Sequence, residues 1–149
     1  MIEEALLLDS TALASLHAES NKPILEFILI KHEAHISILS LYEYLSALGY
    51  FSEVDFNKLY RSIEKIYNIV GVDQQVILKA AELDSTLTKV GVFLNSVDLI
   101  VAATAIVRSM VLVTAKPELY RDLPKFGLKL LSVEDLCEII RQEIEEYVE

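Results

Sequence analysis

The sequence predicts a three-layer α/β/α domain built around a central, mostly parallel sheet of about five strands. Three observations carry that prediction. Short apolar runs rich in Leu, Ile and Val recur at residues 5–8, 35–39, 68–72, 110–113 and 128–131, the pattern of strands buried on both faces. Segments with helical spacing separate them. No linker, repeat or shift of composition divides the 149 residues, so a single domain over 1–149 is expected, large enough to bury roughly two thirds of its unfolded surface.

The helical segments have local signatures. Residues 56–67 place Phe56, Leu59, Tyr60, Ile63, Ile66 and Tyr67 on one face behind an N-cap at Asp55. Val76, Ala80, Leu83, Leu87 and Val90 do the same behind Asp73. Pro23 suits the first turn of a helix over 23–31, and 134–147 reads as a terminal helix with Leu136, Ile139, Ile140 and Ile144 inward. In a parallel sheet of this kind, ligands gather at the carboxyl ends of the strands.

Composition narrows the function. Hydrophobic residues make up 53% of the chain, yet uncharged stretches such as 99–107 fall far short of the ~20 residues a membrane span needs. No membrane role is expected. Glu3 and Glu4 stand where a secretory signal carries Lys or Arg, and the single cysteine, Cys137, excludes an internal disulfide; both features point to the cytoplasm. The formal charge of −10 is the opposite of the basic footprint of a protein that holds nucleic acid through phosphates. A divalent ion held by carboxylates would add positive charge that the sequence count omits. The segment 108–129 is an exception, with five basic side chains against two acidic ones.

Three acids stand at strand-to-helix junctions. Asp9 closes the run Leu6-Leu7-Leu8 and is equally placed to cap the helix that follows. Glu43 falls in the first turn of the helix after the second strand, where Ser40 and Glu43 also spell a capping box. Asp98 is the only charge between Val92 and Val107. Burying a lone carboxylate costs several kcal/mol unless it is paired, hydrogen-bonded or bound to a cation, so Asp98 must face an opening or a partner. Its structural alternative is a contact with the helix dipole, with Ser96 as the cap. Gathered on one edge, three carboxylates repel, and a hard divalent ion such as Mg²⁺ or Mn²⁺ is the natural counter-charge.

The blocks Leu-Leu-Asp9-Ser-Thr-Ala-Leu, Ser-Leu-Tyr-Glu43-Tyr-Leu, Ser-Val-Asp98-Leu-Ile-Val-Ala-Ala-Thr-Ala and Met110-Val-Leu-Val-Thr114 occur in the order and spacing of PIN domains. The chain resembles, in particular, the ribonuclease toxins of the VapC type. The resemblance implies Mg²⁺- or Mn²⁺-dependent cleavage of RNA, a cognate antitoxin partner and a homodimer. Asp9, Glu43 and Asp98 would be metal-binding and catalytic residues, and Ser10 and Thr114 supporting ones. Family members often carry a further Asp or Asn where this chain has Lys116; Glu118 could substitute for it as a metal ligand, or Lys116 could contact RNA. A site weakened by that change would instead leave a protein- or RNA-binding module. A flavodoxin-like or receiver-type module would want adjacent acids after an early strand and a lysine after the last strand. Neither is clear.

The remaining motifs are less informative. His32 and His35 lack the spacing of a helical zinc pair and read as surface residues. Four isolated glycines exclude a phosphate loop. Cys137 reads as core, and the apolar residues of 51–67 could serve an interface.

Overall fold

The computed structural model describes residues 2–148, and its elements follow the predicted alternation. The strands are β1 (Leu6–Leu8), β2 (Ala34–Ser37), β3 (Asn68–Val70), β4 (Val111–Thr114) and β5 (Lys129–Ser132). The helices are α1 (Ser10–Leu16), α2 (Lys22–Lys31), α3 (Ile38–Phe51), α4 (Phe56–Ile66), α5 (Gln74–Lys89), α6 (Ser96–Val107) and α7 (Val133–Val148). All five strands pair in parallel, in the order β3-β2-β1-β4-β5. The chain builds one half of the sheet outward from β1 and then returns to lay β4 against its other side, so the topological switch lies between β1 and β4.

The apolar runs are unbroken because both faces of the sheet are covered. Leu6, Leu8, Ile36, Val111 and Val113 point into a core filled from α1, α2, α3, α4 and α7, including Leu13, Ile28, Leu41, Ile63 and Ile140. Leu7 and Leu112 point the other way, into a core with Leu83 and Leu87 of α5 and Leu99 and Val101 of α6. Asp55 and Asp73 cap α4 and α5 by accepting from the amides of Lys58 and Val76, as their positions predict. Pro23 sits in the first turn of α2, and Cys137 is buried. None of the described helices is long and apolar enough to cross a membrane.

Several expectations shift. The run 35–39 is not all strand, because β2 turns directly into α3 at Ile38, and Ser37 accepts from the Leu39 amide as the cap. A short apolar run cannot by itself distinguish strand from helix. Glu43 therefore lies in the second turn of α3, and no capping box forms; the Ser40 hydroxyl is buried without a partner. Asn95, not Ser96, caps α6, accepting from the amides of Val97 and Asp98. Val90 is exposed because α5 ends at Lys89 and the chain turns away at Gly91. Phe56 and Ile66 occupy the two ends of α4 and stay half exposed. His32 and His35 are not surface residues: their side chains are 6% and 13% exposed, with His32 Nε2 3.0 Å from Glu143 Oε2 across the α2–α7 contact.

Candidate active site

The site forms at the carboxyl ends of β1 and β4, where the switch opens the sheet edge. Asp9 follows β1, is 4% exposed and uses its two oxygens differently. Oδ1 caps α1, accepting from the Ala12 amide at 2.8 Å and the Thr11 hydroxyl at 2.6 Å. Oδ2 accepts from the Tyr120 hydroxyl at 2.9 Å. The capping and functional readings of Asp9 are therefore compatible, one on each oxygen.

Asp98, on the first turn of α6, turns its Oδ1 to within 3.5 Å of the same Tyr120 hydroxyl. One phenolic oxygen thus stands between two carboxyl groups that are 89 residues apart in sequence. Glu43 approaches from α3, and its Oε1 accepts from the Ser10 hydroxyl at 3.2 Å. The supporting hydroxyls interlock. Thr11 lies 3.2 Å from the buried Thr114, the Ala115 amide donates to Thr11, and the Lys116 amide donates to Thr114. Thr114 ends β4 and lies within hydrogen-bond distance of Thr11, which in turn donates to Asp9.

The electrostatics show the acids sensing one another. Burial, together with repulsion from Asp98 and Asp9, pushes the Glu43 carboxyl up, while the Ser10 hydrogen bond works in the opposite direction. Burial and then Asp9 push Asp98 up as well, opposed by Tyr120 and by the positive charge of Lys116. The Tyr120 phenol is held protonated by burial and by all three carboxylates. Its hydroxyl is thus a fixed hydrogen-bond donor at the centre of the cluster.

Glu118 sits exposed on a short turn of helix, Pro117–Tyr120, and shares with Asp98 the lining of a groove beside the cluster. The basic stretch 108–129 is largely neutralised by pairing. Arg108 meets Asp73 at 3.0 Å, Lys129 meets Glu4 at 3.3 Å, and Arg121 lies 3.9 Å from Asp122. Lys116 is the cation whose field reaches Asp98.

Among the described residues, no three His, Cys, Asp or Glu side chains converge closely enough to enclose an ion between them. The donor set nonetheless suits a hard cation. Mg²⁺ is commonly held by one or two carboxylates, with water and phosphate completing its shell. Asp9 and Asp98 present such a pair, all oxygen, bridged by a neutral donor. Two positioning residues, Tyr120 and Thr11, were not found by sequence reasoning. Tyr120 is tied to Asp9 across 111 residues, and its only local signal is an aromatic in a charge-dense turn.

Fold and cluster together define a class: parallel α/β domains that collect acids at the switch between the two strands. Residues 6–121 match the PIN domain. Over 140 residues the chain is 31% identical to a VapC ribonuclease of Pyrococcus furiosus, a match covering 92% of this chain and 91% of that protein. A second relative, ribonuclease VapC1 of Methanocaldococcus jannaschii, is 27% identical over 95 residues, 64% of this chain and 68% of that one. Among solved structures, VapBC2 of Rickettsia felis bound to a promoter DNA fragment superposes with a TM-score of 0.72 at 20% identity, covering 86% of this chain and 98% of that chain. VapBC-1 of Haemophilus influenzae gives 0.70 at 20% identity over 87% and 98%; at these identities the likeness speaks for the fold. The chain belongs to the PIN-domain family, among its VapC-type members.

Proposed function

We propose that this protein is a divalent-metal-dependent endoribonuclease, the toxin of a toxin-antitoxin pair, with Asp9, Glu43 and Asp98 as its working acids. The observation that carries the reading is the Tyr120 hydroxyl poised between Asp9 and Asp98, with Glu43 electrostatically coupled to both. Full-length likeness to a VapC ribonuclease supports the activity.

Asp9 and Asp98 would hold Mg²⁺ or Mn²⁺, with Glu43 alongside. A bound divalent ion lowers the pKa of water and offsets charge on a phosphate undergoing cleavage. The chain's own residues supply position. Thr11 and the Ala12 amide fix one oxygen of Asp9, so that the other keeps a single orientation. Tyr120 sets the spacing of Asp9 and Asp98, and Ser10 aims Glu43. Thr114 anchors Thr11 from the adjoining strand. Lys116 contributes positive charge on the side from which a phosphate approaches. Its presence where the family resemblance leads one to expect Asp or Asn favours a site with fewer ligands and a cationic rim, and Glu118 stands as an outer acid.

The remaining assignments rest on the same reading: one domain over 1–149, a cytoplasmic setting consistent with the single buried Cys137, RNA as substrate and an antitoxin protein as partner. A homodimer is supported by exposed Tyr50, Phe51 and Phe56 around the α3–α4 corner.

The test is cleavage of a labelled RNA pool with and without Mn²⁺, by wild type and Asp98→Asn. Losing one carboxylate from the site should slow cleavage about 10²–10³-fold. Wild-type protein that neither cuts RNA nor gains thermal stability in millimolar Mn²⁺ would instead favour the binding-module reading.

A further inference from the structure

The groove beside Asp98 is lined by Gly91, Phe93, Asn95, Glu118, Arg121 and Asp122 among others, and encloses about 430 Å³. Its wall is a short segment fixed at every point but one. The C-terminus of α5 closes with Gly91 in the left-handed region at φ 79°, the Gly91 amide donating to the Thr88 carbonyl and the Val92 amide to that of Leu87. Val92 and Leu94 pack against the core beneath, and Asn95 is committed to capping α6. Phe93, between these anchors, is turned outward and is 77% exposed. A singly exposed aromatic is ordinary on a protein surface. This one stands between two neighbours packed on the core, in a groove that Asp98 also lines.

Resting on the ribonuclease reading, we infer that the groove is a subsite for the nucleobase next to the scissile phosphate, with Phe93 as its stacking platform. Charge decides in favour of the base over the backbone. Asp98, Glu118 and Asp122 line the groove against the single cation Arg121, an environment that repels phosphates. The flat face of a base stacks on an aromatic ring without regard to charge, and the carboxylates accept from its amino hydrogens. The phosphate itself falls at the Asp9–Asp98 pair, on the Lys116 side.

The chain contains no tryptophan, so Phe93→Trp installs a lone tryptophan, excited selectively over the tyrosines, at an exposed position that tolerates it. Titration with short oligoadenylate should quench its emission. Tyr147→Trp, on the far end of α7, should stay unchanged. In RNA cleavage with Mn²⁺, Phe93→Ala should raise KM about tenfold while leaving kcat within about twofold, and Phe93→Trp should restore KM, since stacking on one aromatic contributes about that much. An unquenched reporter together with an unchanged KM for Phe93→Ala overturns the subsite while leaving the nuclease intact. Quenching in a protein that cuts no RNA supports the subsite and overturns the nuclease reading instead. Quenching by a partner protein's peptide but not by oligoadenylate assigns the groove to that partner and overturns the proposal.

Discussion

Two places in this molecule bury carboxyl groups between helices, and they are built on opposite principles. Where α2 meets α7, Glu143 is matched by His32 at 3.0 Å, and Lys31 lies over the Tyr147 ring and donates to its hydroxyl at 3.0 Å. The acid buried there has a basic neighbour. At the carboxyl ends of β1 and β4, Asp9 and Asp98 face one another around a phenol with Glu43 held nearby by Ser10, and no basic side chain forms a salt bridge with them among the described residues. The first arrangement matches its charge within the chain, although Glu143 Oε1 is left buried without a hydrogen bond. The second leaves its carboxyl groups repelling one another, the pattern that marks candidate functional sites.

Disrupting the paired side should have the larger effect on folding. His32→Ala removes the partner of a mostly buried carboxylate and should cost about 2–3 kcal/mol. In a domain of this size that lowers the melting temperature by about 6 °C. RNA cleavage measured well below the transition should be unaffected. A parallel loss of activity and stability would break the contrast.

Tyr120→Phe probes the unpaired side. It removes the donor between Asp9 and Asp98 without changing the ring's volume, and should weaken Mn²⁺ binding about 10–100-fold by isothermal titration, as loss of a ligand-orienting group commonly does. Unchanged affinity would mean that the phenol only fills space.

The smallest effect is in the metal-free protein. The folded state holds protons on Glu43 and Asp98 more tightly than the unfolded chain does, because both carboxyls are pushed up. Stability from these groups is therefore present at acidic pH and declines as pH rises through and beyond the ordinary carboxylate range. Asp98→Asn should flatten that decline and raise the neutral-pH melting temperature by about 2 °C, a modest figure because Asp98 is only half buried. Millimolar Mn²⁺ should erase the wild type's disadvantage. A variant less stable than wild type without metal would point to a purely structural Asp98.

What could be read from sequence follows the range of the interactions involved. The five strands and the caps at Asp55 and Asp73 were legible because burial on two faces and a side chain bonded three residues ahead leave local traces. Asp98 was legible because one charge in a sixteen-residue uncharged setting needs a reason. The start of α3 was not, since Ile38 and Leu39 suit strand and helix equally. Nor was the cap of α6, where Asn95 and Ser96 are adjacent and either is a good cap. Tyr120 and Thr11 escaped altogether. Tyr120 meets Asp9, and Thr11 is braced by Thr114, across more than a hundred residues, and no periodicity encodes such a meeting; the Thr11 bond to Asp9 is local but has no distinctive pattern. His32 was misjudged for the same reason, because Glu143 lies 111 residues on.

The central strand is also the first to be made. Leu6–Leu8 precedes the other four strands in the chain, yet one of its two neighbours in the sheet, Val111–Thr114, is synthesised only after β2, β3 and six helices. Domains assemble during synthesis from the N-terminus, but here a nascent chain must carry β1 half-paired until β4 arrives, and Asp9 without its phenol until Tyr120 does. Asp9, Glu43 and Asp98 therefore all precede the residue that fixes their mutual geometry, and a polypeptide stalled before Tyr120 carries the three acids without the arrangement that brings them together.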